Sequence, residues 1–307
     1  MHRDLWPALP YDAWSSTCDT LHAHTQVLGK LAVALAVPEP QLQHAALHLT
    51  ARGWETPALP APDRSGVLVV ALDLHRHQAV VEHSDGRTRS VALTPDRPVA
   101  NVTRALLAVV EDLTGTVSIN TTPQETGWTT PLDEDIEHAT YDPAQVETYF
   151  SAATQAALVL AAIRAPYRGR SSPVNAWWGT FDLAVSLFSG RSVDPPSTGY
   201  ITRNAANAEQ IEIGWWPGDE RHPTPAFYAF AYPSPTGVEH GDVSPTAAHW
   251  DAALGEYILD WDDARATEDP HETAVEFGRS VIRHACAISD WDPDLAASAD
   301  AVPPPLI

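Results

Sequence analysis

Between residues 11 and 37, YDAWSSTCDTLHAHTQVLGKLAVALAV, apolar and polar positions repeat at helical spacing. Leu21, Leu28, Ala32 and Leu35 form an apolar stripe, and Cys18, His22, Gln26, Gly29 and Lys30 run beside it as a polar seam. The pattern predicts a first helix, capped by Ser15 or Asp12 and stopped by Pro38. Strands are then expected over 46–51, 66–74, 78–84 and 89–94. The last two are joined by Asp85-Gly86, so short loops make an antiparallel meander. A helix over 98–113, ended by Gly115, and a strand over 117–120 complete a first lobe.

Residues 121–142 are polar and punctuated by proline, which places a lobe boundary there and divides the chain into 1–121 and 122–307. The second lobe is expected to hold a helix over 143–163, a central strand over 172–183, and strands over 209–216 and 226–232. Helices over 262–266 and 272–288 and a proline-rich tail follow. Read as a strand, the central stretch carries Asn175, Trp177, Gly179 and Phe181 on one face. Val174, Ala176, Trp178, Thr180 and Asp182 lie on the other. Aromatics on both faces imply burial on both sides, with Asn175 and Asp182 as polar exceptions that need partners. Arg191, just after Ser189-Gly190, is the nearest cation able to supply one. The stretch reads equally as a core strand or as the wall of a ligand pocket. The fold class expected is α+β: mainly antiparallel sheets with packed helices, in two intimately joined lobes.

With 44% hydrophobic residues the chain is expected to be globular, and no run approaches the ~20 apolar residues of a membrane span. The start, MHRDLWPALP, does not read as a signal peptide. Cys18 and Cys286 suit two reduced thiols and a cytoplasmic location, with one long-range disulfide as the less favoured alternative. A net charge of −22 argues against nucleic acid and anionic membrane as partners, and it permits a cationic or amine-bearing substrate.

Several chemistries leave no trace. There is no glycine-rich phosphate loop, no CxxC, no HExxH and no GxSxG. His22 and His24 lie two apart on a helix and point different ways, so they are not expected to share a metal. The acids and His138 within DEDIEHATYD match no standard ligand spacing and read as a solvated loop. What remains is a set of polar residues in aromatic surroundings: His22, Gln26, Lys30, Arg52, Asn175, Asp182, Arg191, Glu209 and Glu212. Trp177, Trp178, Trp215, Trp216 and Tyr228 supply walls, either of a ligand site or of a core.

The pieces WPALPYDAW, TLHAHTQVLGK, TARG, SDGRT, DEDIEHATYD, SPVNAWWGTFDLAVSLFSGR, GWWPG, AFYAFAYPSP and GEYILDWDDAR run in order over nearly the whole chain. In them it resembles a bacterial family known only as domain of unknown function 5996, which implies no activity. The resemblance also marks departures. Family members typically read SPVHFFWG where this chain has Asn175, SHEVSSA where Ala208 precedes Glu209, and LHLWTQ where His24 appears. If the family site holds a metal through those histidines, this member lacks the ligands.

The function expected is a small-molecule enzyme of bacterial secondary metabolism, such as antibiotic biosynthesis, without metal or organic cofactor. Its chemistry is general-base-assisted displacement of an anionic leaving group from an amine-bearing substrate, for instance sulfate elimination giving an aziridine. His22 and Glu209 are the candidate bases, Arg52 and Arg191 the anion holders, and the tryptophans exclude water. A small protein partner subunit fits such two-component chemistry. The alternative is a non-catalytic ligand-binding or interaction protein using the same aromatic surroundings.

Overall fold

The computed structural model describes residues 5–299 and 301; the proline-rich tail lies outside them. The fold is α+β, with two antiparallel sheets and helices packed on them. Two compact units divide the chain. One comprises Asp12–Phe150 and Asn175–Asp182, the other the described residues of Met1–Tyr11, Ser151–Val174 and Leu183–Ile307. The sequence reading cuts the chain once, at 121/122, whereas each unit is assembled from separate stretches.

The first unit is centred on α1 (Ser15–Leu35). Neither Ser15 nor Asp12 caps it: Trp14 occupies that position and makes no side-chain cap bond. Leu21, Leu28, Leu31 and Ala32 are fully buried, yet Gln26 and Lys30 on the polar seam are buried as well. The helix ends where Ala36 turns extended, two residues before Pro38. Strands β1 (His48–Thr50), β2 (Gly53–Glu55), β3 (Leu59–Pro60), β4 (Val67–Asp73), β5 (Gln78–His83) and β6 (Thr88–Ala92) form the first sheet. Its order is β1–β2–β4–β5–β6, with β3 also on β4, and Gly86 at φ 92° makes the expected turn before β6. Helix α2 (Val99–Thr114) lays Val102, Leu106 and Val110 into the core and ends at Gly115, φ 87°. No strand follows at 117–120; the chain there is irregular.

Helix α3 (Pro143–Arg164) runs from this unit into the other at Phe150/Ser151. It corrects the view that no segment is apolar enough to span a bilayer. Its most apolar window has a mean hydropathy of 1.3, sufficient by length and composition, and half of that window is buried in the protein. The expected strand over 172–183 is also corrected. Strand β7 (Asn175–Trp177) stops, the chain turns through Trp178–Thr180, and Phe181 takes a left-handed φ of 60° before β8 (Asp182–Ser192) begins. Because the chain bends, strict alternation no longer assigns faces across residues 174–182.

In the second unit, α4 (Tyr200–Ala205) precedes β9 (Ala208–Trp216), β10 (Ala226–Tyr232), β11 (His249–Asp251) and β12 (Glu256–Asp260). Helices α5 (Trp261–Arg265), α6 (Pro270–Ile288) and α7 (Pro293–Ala299) follow. The sheet runs β11–β12–β10–β9–β8. Asp269 caps α6 by accepting the Glu272 N–H at 3.0 Å, with Pro270 preset for the first turn. Tyr257 meets His284 of α6 edge-on, which identifies the α6 side of the sheet as Ile211, Ile213, Trp215, Phe227 and Leu259.

Candidate functional site

In the α1 unit, His22, Gln26 and Lys30 follow one another at i, i+4 and i+8 and so share one face of α1. Gln26 pairs with the backbone of Gln124. Its amide donates to the Gln124 carbonyl at 2.8 Å, and its own carbonyl accepts the Gln124 N–H at 3.2 Å. Lys30 Nζ donates to the Thr122 carbonyl at 2.6 Å and lies 5.4 Å from the centre of the Trp178 ring. Desolvation lowers its pKa to about 8, so it remains mostly charged at neutral pH. Gly29 makes the space for Trp178, since a Cβ there would sit 2.0 Å from the indole. The ring is fixed by an Nε1–H bond to the Ala45 carbonyl, 3.0 Å.

His22 Nε2 is 3.0 Å from the carbonyl oxygens of both Trp178 and Gly179. Carbonyls only accept, so Nε2 carries the proton, and the 3.4 Å approach of Gln26 Nε2 is a contact between two donors. Burial lowers the His22 pKa to about 4, against the opposing pull of the two carbonyl bonds. The ring is therefore neutral at pH 7, with its lone pair on Nδ1. It stacks on Phe181 at 4.9 Å, and Phe181 stacks in turn on Trp54 and on Tyr149, each at 5.2 Å. Trp54 Nε1–H donates to Tyr149 Oη at 3.1 Å.

Trp128 stands edge-on to His22 at 5.1 Å and contacts His138 at 4.4 Å. The DEDIEHATYD loop is thus not simply solvated. Asp135 is 2% exposed, and its Oδ1 accepts the N–H groups of Glu137 and His138 at 3.0 Å each. Its Oδ2 lies 2.6 Å from His138 Nδ1. With Nδ1–H committed to Asp135, His138 Nε2 is the nitrogen left to take or give a proton. Sequence reasoning missed Trp128 and set Asp135 and His138 aside as part of a solvated loop. The signal available was an Asp three residues before a His, the spacing at which a carboxylate closes a turn on its own backbone. Nearby, the Glu125 head rests on Gly179, where a Cβ would meet Oε2 at 2.0 Å. Desolvation and then the Asp182 charge raise its pKa, and Asp182 accepts a bond from Thr180 Oγ1. His24 is 3% exposed, with its pKa lowered to about 4 by burial; its Nδ1 has no hydrogen-bond partner among the described residues.

Other expected residues of this unit are engaged elsewhere. Arg52 bridges Glu55 and Glu82 at 2.7 and 2.9 Å, clamping β2 to β5. Asn175 donates to Gln43 Oε1 at 3.0 Å, and Trp177 is half-buried in β7. In the α6 unit, strand alternation sends Glu209 and Trp215 to the α6 side and Glu212 and Tyr228 to the opposite face. Arg191 pairs with Glu209 at 3.2 Å and donates to the carbonyls of Ser289 and Asp290, tying β8 to the end of α6. Glu209 Oε2 is buried with no hydrogen-bond partner among the described residues. Trp215 packs edge-on against Trp261 at 5.8 Å. Glu212 accepts the Ser186 hydroxyl at 2.9 Å, and Tyr228 fills the space above Gly214 beside Trp216. His22, Gln26, Lys30 and Trp178 are thus the expected site residues that the fold gathers into one constellation.

The model of a family described as a family of unknown function, DUF5996, matches residues 6–298. The chain belongs to that family. No curated protein and no solved structure matches it. In this DUF5996 chain, Asn175 stands where the motif resemblance leads one to expect His, and its Oδ1 is buried without a partner among the described residues. Among the described residues, no group of three or more His, Cys, Asp and Glu could hold a metal ion. Cys18 and Cys286 are buried and are not joined in a disulfide.

Proposed function

We propose that this DUF5996 chain is a small-molecule enzyme of secondary metabolism, of the kind that makes antibiotics, acting by histidine base catalysis on an amine-bearing substrate. The observation that carries this reading is the Asp135–His138 pair, 2.6 Å long, set beside the neutral and carbonyl-anchored His22 across Trp128. A buried carboxylate that fixes one imidazole nitrogen orients the other for proton transfer. In the reaction proposed, the substrate amine attacks the neighbouring carbon that bears a sulfate ester. The C–O bond breaks, sulfate leaves with the bond pair, and the amine proton passes to His138 Nε2, since burial leaves His22 too weak a base. An aziridine results. The aromatic stack around Phe181 limits water at the reacting centre, and the Lys30 ammonium favours an anionic leaving group. Glu209 and Arg191 bind one another in the α6 unit, and their engagement favours a structural role.

The test is release of inorganic sulfate from 2-aminoethyl hydrogen sulfate, measured with aziridine formation by NMR. Wild type should release both in equal amounts. Asp135→Asn and His138→Gln should each lower the rate by about 10²-fold or more, within the usual range for general-base catalysis. Saturable binding of the probe with no sulfate release would overturn the reading. It would leave the alternative, a non-catalytic ligand-binding or interaction protein, which the engagement of Gln26 and Lys30 by backbone carbonyls favours.

A further inference from the structure

A cavity of about 360 Å³ opens in the α6 unit, lined by residues of the segment 239–250 and by Tyr257 of β12. Glu239, Asp242, Ser244, His249 and Trp250 contribute to the lining, and no Lys or Arg does. One wall is held in place by its surroundings. Tyr257 Oη donates to the Val238 carbonyl at 2.5 Å and accepts the Gly241 N–H at 2.7 Å. Ser280 of α6 receives the Ser244 N–H at 3.0 Å, and His284 Nε2 lies 3.0 Å from the Val238 carbonyl. Gly241 lets the strap lie this close, because a Cβ there would meet His284 at 2.5 Å and the Tyr257 hydroxyl at 2.6 Å. The half-buried Trp250 packs edge-to-face on Tyr257 at 5.1 Å.

We propose that this cavity binds a small organic cation, a primary or quaternary ammonium. Two carboxylates, Glu239 and Asp242, supply the counter-charge. The Trp250 indole offers a π face of the kind that attracts a dispersed positive charge. The strap is pinned to α6 and β12 before any ligand arrives, so little ordering cost falls on binding. Anions are disfavoured by the same two carboxylates. All of the lining belongs to the α6 unit, so the inference does not rest on the chemistry proposed for His22 and His138.

The experiment is a titration of the ¹⁵N-labelled full chain with tetramethylammonium chloride at constant ionic strength. tert-Butanol, nearly the same shape without the charge, is the control. Saturable amide shifts should centre on residues 239–250, with tert-butanol causing none of comparable size. Trp250→Leu should raise Kd by roughly two- to fivefold, the range expected for an exposed cation–π contact. The paired change Glu239→Gln with Asp242→Asn, both at exposed positions, should raise Kd further, and a repeat of the titration at higher ionic strength should then leave its Kd nearly unchanged. Shifts no larger than those from tert-butanol would overturn the proposal. So would a Kd unmoved by the carboxamide pair.

Discussion

Helices α1 and α6 are each the centre of a unit, and each has a glycine beneath an intruding side chain. On α1 the intruder at Gly29 is the Trp178 indole, three of whose atoms would lie 2.0–2.1 Å from an added Cβ. On α6 the intruder at Gly278 is Ile163, whose Cδ1 would lie at 2.5 Å. The indole is rigid and is tethered by its hydrogen bond to Ala45, whereas an isoleucine tip can rotate away. The polar groups differ in parallel. His22 and Gln26 are desolvated and fixed by carbonyls of distant segments, while Arg191 is 49% exposed and tied to Glu209 and to the two residues that follow α6. Both helices use one packing device. The polar groups around α1 are held in a defined protonation state, and those at the end of α6 hold the fold.

That contrast predicts, first and largest, an acid sensitivity localised to α1. His22 and His24 both have folded pKa values lowered from 6.5 to about 4. The unfolded chain therefore binds more protons than the native one between those values, and stability falls as pH drops through that window. From pH 6.5 to 4.5 each histidine accounts for roughly 2–3 kcal/mol. Urea denaturation at the two pH values should show the loss. The variant His22→Gln/His24→Phe, although less stable at pH 7, should show a slope flatter by about that amount per histidine. A slope unchanged in the double variant would remove the special status of α1.

A second test sharpens the comparison of the two helices. Gly29→Ala should cost about 3 kcal/mol, at the upper end of overpacking, because the indole cannot yield without losing its bond to Ala45. Gly278→Ala should stay within about 1 kcal/mol of wild type, since the gain in helix propensity offsets a small shift of Ile163. Equal losses would show that stiffness of the neighbour is not what separates the units.

The smallest effect concerns Arg191. Its two-pronged grip on backbone carbonyls and on Glu209 is lost in Arg191→Lys, which keeps the charge. A stability loss of about 1 kcal/mol is expected for this half-exposed pair, with sulfate release from the aminoethyl probe unchanged. Near-native melting with turnover abolished would instead make Arg191 an anion grip and bring the α6 unit into the chemistry.

By itself the sequence determined the local elements and the fold class. Period and punctuation are local properties, so α1, α2, α3 and α6, the β4–β5–β6 meander, and β9 and β10 could be read from stretches of a dozen residues. The seam of His22, Gln26 and Lys30 was legible for the same reason, being spaced at i, i+4 on one helix. Only the tertiary structure decided what those residues do. The carbonyls that set the His22 tautomer lie 156 and 157 residues away, at Trp178 and Gly179. They are available because the expected strand over 172–183 breaks at Phe181, a left-handed residue that propensity gives no reason to expect. Asp135 sits in a run that reads as solvent-exposed, and its burial depends on how that loop packs. The strand pattern of β9 showed Glu209 and Glu212 as two acids of one segment; pairing with β8 and β10 put them on opposite faces. Hydrophobic periodicity encodes which backbone forms, whereas the desolvation and partners of a polar head depend on chain segments that periodicity does not relate to it.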